Sequence, residues 1–105
     1  MTDLIRRRLA ALTQEIARAR VELGVLREQL VFHEQVLEER TVAMLVAETP
    51  IAAREHRVAR EDHARAVRVI EAEEWALAAL LREQSEFLER LTPGNPITIT
   101  DRRIL

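Results

Sequence analysis

Apolar residues in the first half of the chain recur at alternating spacings of four and three. Eleven of the thirteen positions in this series are apolar, and His33 and Arg40 are the two polar ones. Such a repeat, sustained over about six heptads, is typical of a coiled-coil helix. With Thr2 or Asp3 as its cap, the pattern predicts helix 1 over about residues 4–48. The series comprises Ile5, Leu9, Leu12, Ile16, Ala19, Leu23, Leu26, Leu30, His33, Leu37, Arg40, Met44 and Ala47.

A second helical repeat follows Thr49-Pro50, where threonine is a good cap and proline is tolerated in the first helical turn. It predicts helix 2 over about residues 50–91, and it is out of phase with the first repeat. The chain is therefore expected to reverse at residues 48–50, giving an all-α, antiparallel two-helix coiled-coil hairpin. The predicted seam of helix 2 comprises Ala53, His56, Arg60, His63, Val67, Ile70, Glu74, Leu77, Leu81, Gln84, Leu88 and Leu91.

The segment after Leu91 reads Thr-Pro-Gly-Asn-Pro, which ends any helix. The sequence thus predicts a helical hairpin over residues 1–91 and a non-helical tail over residues 92–105. Residues 97–100 alternate like a short strand. The tail is interpreted either as a disordered end or as a segment that docks on a subunit or partner.

Two features of the predicted hairpin can be checked in a structure. If the turn lies between Thr49 and Pro50, Gly24 faces Trp75, and the glycine is expected to make room for the indole. Near the turn, Arg40 and Arg60 fall at nearly one level, and burial of both requires acidic partners. The candidates for those partners are Glu38, Glu39, Glu61 and Asp62.

Helix 1 carries more apolar residues than one partner helix can cover, and residues 42–47 are apolar all round. This surplus predicts self-association, most simply a dimer in which two hairpins form a four-helix bundle. It also predicts the docking of a protein partner. The expected interface residues are Phe32, Val36, Val42, Leu45 and Val46, with Ile97, Ile99, Ile104 and Leu105 of the tail.

The composition fits this class. The chain has 105 residues, 48% of them apolar and 32% charged, and its net charge is −2. Cysteine is absent, which rules out disulfides and thiolate metal sites. All sixteen basic residues are arginine, as a GC-rich bacterial genome would give. The N-terminus lacks a signal-like apolar stretch, and no run is long enough to cross a bilayer, so a cytoplasmic location is expected.

Candidate chemistry is sparse. His33, His56 and His63 could line a metal or ligand site, although the Glu-x-x-His spacing of metal-binding bundles is missing. Arg6-Arg7-Arg8, with Arg102 and Arg103, could form a basic end for nucleic acid, unless Glu86 and Glu89 neutralise the triplet. One serine and no tyrosine favour a non-enzymatic protein without a cofactor. The sequence therefore predicts a scaffold or adaptor, with a metal- or ligand-binding bundle and a nucleic-acid binder as alternatives.

Overall fold

The computed structural model describes residues 2–91, which form two helices that lie against each other. Helix α1 is Thr2–Ala47 and helix α2 is Pro50–Leu91. Ion pairs from Arg8 to Glu83 and from Arg40 to Glu55 show that the helices run antiparallel. No strand occurs in this part of the chain. The predicted all-α helical hairpin is confirmed, and α1 begins at Thr2 rather than at the expected Leu4.

The turn consists of Glu48 and Thr49. Glu48 adopts a φ of 55°, and its N–H donates to the Met44 carbonyl oxygen at 3.1 Å, which ends α1 in a left-handed cap. Thr49 then caps α2, because its Oγ1 accepts a hydrogen bond from the Ala52 N–H at 3.1 Å. The chain thus reverses without glycine, at the cost of one strained residue.

The seam of α1 follows the predicted repeat. Leu12, Ile16 and Leu23 are buried, and most other members of the series are half-buried. Arg40 and Ala47 are the exceptions, since both are exposed near the turn. The three buried residues all lie in the half of α1 that is remote from the turn.

The seam of α2 differs from the prediction at alternate positions, although the predicted Ala53, Val67 and Leu81 are also half-buried. His56, His63, Ile70 and Leu77 do face α1, but the alternate positions lie one residue earlier than expected. Ala52 and Ala59 are buried, and Ala66, Glu73, Leu80 and Phe87 are half-buried. Arg60, Glu74 and Leu88, which the prediction placed in the seam, are exposed. Three of the observed positions near the turn are alanine, and such small side chains allow the two helix axes to approach closely.

Gly24 does not make room for Trp75, so that prediction is wrong. Trp75 is 75% exposed, and a Cβ added to Gly24 would have no atom within 4 Å. The two residues lie on the outer sides of their helices, which face away from each other. The reason is the helical phase of α2, which turns Trp75 away from the seam.

Ion pairs between the helices lie along both flanks of the seam. Arg8 Nε lies 2.7 Å from Glu83, Arg27 lies 2.8 Å from Glu74, and Arg40 lies 3.5 Å from Glu55. The expected partners of Arg40 and Arg60 are therefore wrong, because Arg40 binds Glu55 and Arg60 is exposed to solvent. Neither arginine is buried in a layer of the seam.

Candidate protein-interaction surface

The side of α1 that faces away from α2 is a continuous exposed surface. In heptad terms it comprises the b, c and f positions, if a and d denote the seam. We call its part from Val21 to the turn the α1 outer face, and all members of this part are exposed; Arg7 and Arg18 lie on the same side of the helix before it. The members of the α1 outer face are Val21, Gly24, Val25, Glu28, Val31, Phe32, Gln35, Glu38, Glu39, Val42, Leu45 and Val46.

Large apolar side chains dominate this face. Val46 is 79% exposed, Leu45 66%, Phe32 61% and Val42 55%. The rings of Phe32 and His33 are arranged edge to face, with their centroids 5.8 Å apart. Several clusters of exposed apolar residues on one side of a helix are unusual unless something covers them. Four of the predicted interface residues therefore lie on one side of one helix.

Val36, the fifth predicted interface residue of α1, lies elsewhere. It is half-buried and lines a shallow groove of about 340 Å³ on one flank of the hairpin near the turn. Ile51 and Val58 of α2 supply the rest of its large apolar lining, and Arg40 and Arg54 lie beside them. Val36 therefore belongs to a different surface from Phe32. The tail residues Ile97, Ile99, Ile104 and Leu105 lie outside the described residues.

The α2 outer face was missed by sequence reasoning. It comprises the b, c and f positions from 51 to 75 and includes three exposed apolar residues: Ile51 at 71%, Val58 at 48% and Trp75 at 75%. Ile51 and Val58 also border the groove on the flank. Its remaining members are Arg54, Arg57, Glu61, Ala64, Arg65, Arg68, Glu71 and Ala72. The spacing of seven between Ala52, Ala59 and Ala66 was the signal that could have revealed this phase.

The histidines do not assemble into a recognisable metal centre. All three are half-buried along the seam, and His63 Nε2 lies 4.0 Å from a carboxylate oxygen of Glu34. Among residues 2–91 there is no group of three or more His, Asp or Glu side chains placed to hold a metal ion. His63 and Glu34 instead form a polar contact between the helices.

The three arginines of the basic triplet near the start of α1 do not share one environment. Arg8 turns toward α2 and makes two hydrogen bonds to Glu83, at 2.7 and 2.9 Å, and one to Glu15 at 3.0 Å. These bonds lower the pKa of the Glu83 carboxyl and raise that of the Arg8 guanidinium. Arg6 and Arg7 are exposed. Glu83 thus neutralises Arg8 alone, and neither Glu86 nor Glu89 pairs with the triplet within residues 2–91.

Within residues 2–91, neither helix contains a stretch long and apolar enough to cross a membrane. No protein-family model matches the chain, and neither a curated protein nor a solved structure matches it. The functional interpretation therefore depends on the surface of the hairpin.

Proposed function

We propose that this chain is a non-enzymatic scaffold or adaptor that self-associates and docks a protein partner, with the α1 outer face as its main contact surface. The observation that carries the proposal is the exposure of Phe32, Leu45 and Val46 on one side of one helix. A rod of two helices has no interior in which these side chains could be buried.

Burial of an interface of ordinary size on this face would be energetically sufficient to hold a partner. A stable interface buries about 800 Å² on each side. At about 25 cal/mol per Å² the gross gain is about 20 kcal/mol, before the entropic costs of association. Exposed valine and leucine side chains are also costly for a protein to keep in water, because they promote nonspecific aggregation.

The simplest self-associated form contains two hairpins and four helices. The flanks of the hairpin are poor surfaces for this contact, because they carry the ion pairs of Arg8, Arg27 and Arg40. Covering those flanks would remove charged groups from water at considerable cost. The outer faces carry the exposed apolar residues instead, so they are the surfaces that we assign to assembly and docking.

The test is the double variant Val42→Glu with Val46→Glu, which places two charges on the α1 outer face without touching the seam. We expect loss of self-association, or loss of partner capture from the native host, with unchanged helicity by circular dichroism. Mass is measured by light scattering coupled to size-exclusion chromatography. The matched control is Ala10→Glu with Gln14→Glu, which adds the same charge at exposed positions outside the face. Wild-type mass and wild-type capture in the first variant would refute the proposal.

A further inference from the structure

The two outer faces of the hairpin carry opposite charge. The α1 outer face has three glutamates, Glu28, Glu38 and Glu39, and no arginine. The α2 outer face has four arginines and two glutamates, so its net charge is positive. Since the chain as a whole has a net charge of only −2, this division between opposite sides is a property of the fold.

Most of these charges have no partner within the hairpin. Glu28, Glu39, Arg57 and Arg68 are exposed, and none of them makes a hydrogen bond or an ion pair within residues 2–91. Arg65 differs, because it donates to Asp62 at 2.6 Å. The outer faces therefore present free charges to a binding partner, in contrast to the paired charges of the flanks.

The unpaired charges lie at matching distances from the turn. The Arg40–Glu55 pair and the His63–Glu34 contact define which residues of the two helices share a level. By the helical rise, Glu39 lies at about the level of Arg57, and Glu28 lies within about one turn of Arg68. Each glutamate on one side of the rod thus has an arginine at its own height on the other side.

The apolar residues of the two faces match in the same way. Leu45 and Ile51 lie at one level beside the turn, and Val21 and Trp75 lie at another level farther along the rod. Between the charged levels, Phe32 lies at about the height of Ala64. Gly24 leaves open space next to Val21, at the height of Trp75. From the turn outward, the α1 outer face reads apolar, charged, apolar, charged and apolar, and the α2 outer face follows the same order except that Val58 lies within its first charged level.

We infer that the α1 outer face binds the α2 outer face of a second copy of this chain, with the two hairpins side by side and their turns at the same end. This inference rests on the proposed function and names the partner of the same surface. Glu39 then faces Arg57 of the neighbouring copy, Glu28 faces its Arg68, and Gly24 and Val21 receive its Trp75. The room that Gly24 provides is filled between copies rather than within one chain.

A two-fold arrangement of two α1 outer faces is unfavourable by comparison. It would bring Glu28, Glu38 and Glu39 of one copy against the same acids of the other, and like charges across an interface suppress association. The α1–α2 contact is instead heterologous, because each copy uses two different faces on opposite sides. Every added copy leaves one acidic and one basic face open, so association proceeds head to tail.

Trp75, the only tryptophan in the chain, reports directly on this contact. We expect its fluorescence emission to shift to shorter wavelength as wild-type protein is concentrated, in step with the rise in mass by light scattering. A rise in mass without a shift in emission would overturn the inference and leave the proposed self-association standing. Wild-type protein that keeps the mass of one chain at every concentration would instead refute the proposed self-association.

Charge reversal provides the second test. Glu28→Arg with Glu39→Arg makes both faces basic, whereas Arg57→Glu with Arg68→Glu makes both faces acidic. We expect each variant alone to associate at least about tenfold more weakly than wild type, which corresponds to about 1.4 kcal/mol. An equimolar mixture should recover wild-type association, because the reversed face of each variant then complements the other variant. Recovery also shows that both variants are folded.

Two outcomes of the charge reversal contradict the inference. If Arg57→Glu with Arg68→Glu associates like wild type, the α2 outer face takes no part in the contact. If both variants associate weakly and their mixture does not recover, the acidic and basic faces do not bind each other.

Discussion

At the scale of single residues, the best-defined interaction joins the start of α1 to the end of α2. Arg8 binds Glu83 through two nitrogens, and both side chains remain about one-third exposed. Paired, planar contacts of this kind are more specific in geometry than single ion pairs. The contact fixes the first turns of α1 against the last turns of α2.

The lowered pKa of Glu83 predicts a pH dependence of stability. A carboxyl whose pKa is lower in the folded than in the unfolded chain stabilises the fold above its unfolded pKa, about 4.3. This stabilisation is lost as the pH falls through the folded value. Wild type should therefore be more stable than Glu83→Gln at neutral pH, and the difference should shrink below about pH 4. Urea denaturation at several pH values measures this difference in the free energy of unfolding.

Glu86→Gln is the matched control for this pH dependence. Glu86 is exposed on the same part of α2 and makes no ion pair within residues 2–91. The free energy of unfolding of Glu86→Gln should differ little from that of wild type at neutral pH. This difference should not vary with pH in the way expected for Glu83→Gln. If the free energy of unfolding of Glu83→Gln changed with pH in parallel with that of wild type, the Arg8 contact would contribute nothing in solution.

Gly24 gives a second prediction at this scale. A glycine inside a helix costs about 1 kcal/mol relative to alanine, and the space around its Cα is open within the chain. Gly24→Ala should therefore raise the stability of the single hairpin by about 1 kcal/mol. Thermal unfolding in dilute solution tests this, and Ala17→Gly, an exposed position on the same helix, should lower stability by a similar amount. A destabilised Gly24→Ala hairpin would contradict the open environment of this residue.

At the scale of the helices, the sequence predicted α1 better than α2. The a and d positions of α1 hold mostly leucine and isoleucine, so apolar periodicity alone identifies its seam. In α2 two apolar series run side by side, one with Val67 and Leu81 and the other with Ala66 and Leu80. The larger side chain of Val67 favoured the first series, whereas packing against α1 favours the second, because alanine permits close approach. The periodicity of a single sequence does not show which of these two series packs against α1.

The interaction surface was likewise predicted better on α1 than on α2. Exposed Phe32, Val42, Leu45 and Val46 follow from a seam that the sequence defines, since residues off the seam must face outward. Trp75 was not placed on the surface, because a shift of one residue at every second seam position turns the opposite face of α2 by about 50°.

The alanines in the seam predict how α2 responds to larger side chains. Ala59 is buried, with 5% of its surface exposed. Ala59→Leu should force the helices apart and lower the free energy of unfolding by about 2 kcal/mol. Ala76→Leu, at an exposed position on the same helix, is the control and should change stability little. If Ala59→Leu were as stable as wild type, the seam would lie where the apolar periodicity alone places it, at Arg60.

At the scale of the whole molecule, the hairpin is a rod about as long as its helices, with a longest dimension of 68 Å. The ion pairs between its helices lie on the flanks, whereas most charges on the outer faces have no partner within residues 2–91. Because the outer faces are opposite in sign, added salt should weaken their attraction, as it also weakens the exposed ion pairs of the flanks. The Debye length shrinks from about 14 Å at 50 mM salt to about 4 Å at 500 mM.

Raising sodium chloride over that range should weaken wild-type self-association, since it screens attraction between the faces. The same change should strengthen association of the Arg57→Glu with Arg68→Glu variant, in which both faces are acidic and repel each other. Sedimentation velocity over a concentration series measures both trends. Parallel trends in the two proteins would show that charge on the outer faces does not govern assembly.

The opposite signs of the two outer faces also give a growing row of hairpins a direction. A copy whose α2 face has been reversed still offers a normal acidic side to the basic side of a wild-type neighbour, but no wild-type copy can be added beyond it. A small fraction of that variant would act as a chain terminator, shortening assemblies in proportion to its share. The number of copies in a row would then be limited by stoichiometry, without any change in the fold of the single hairpin.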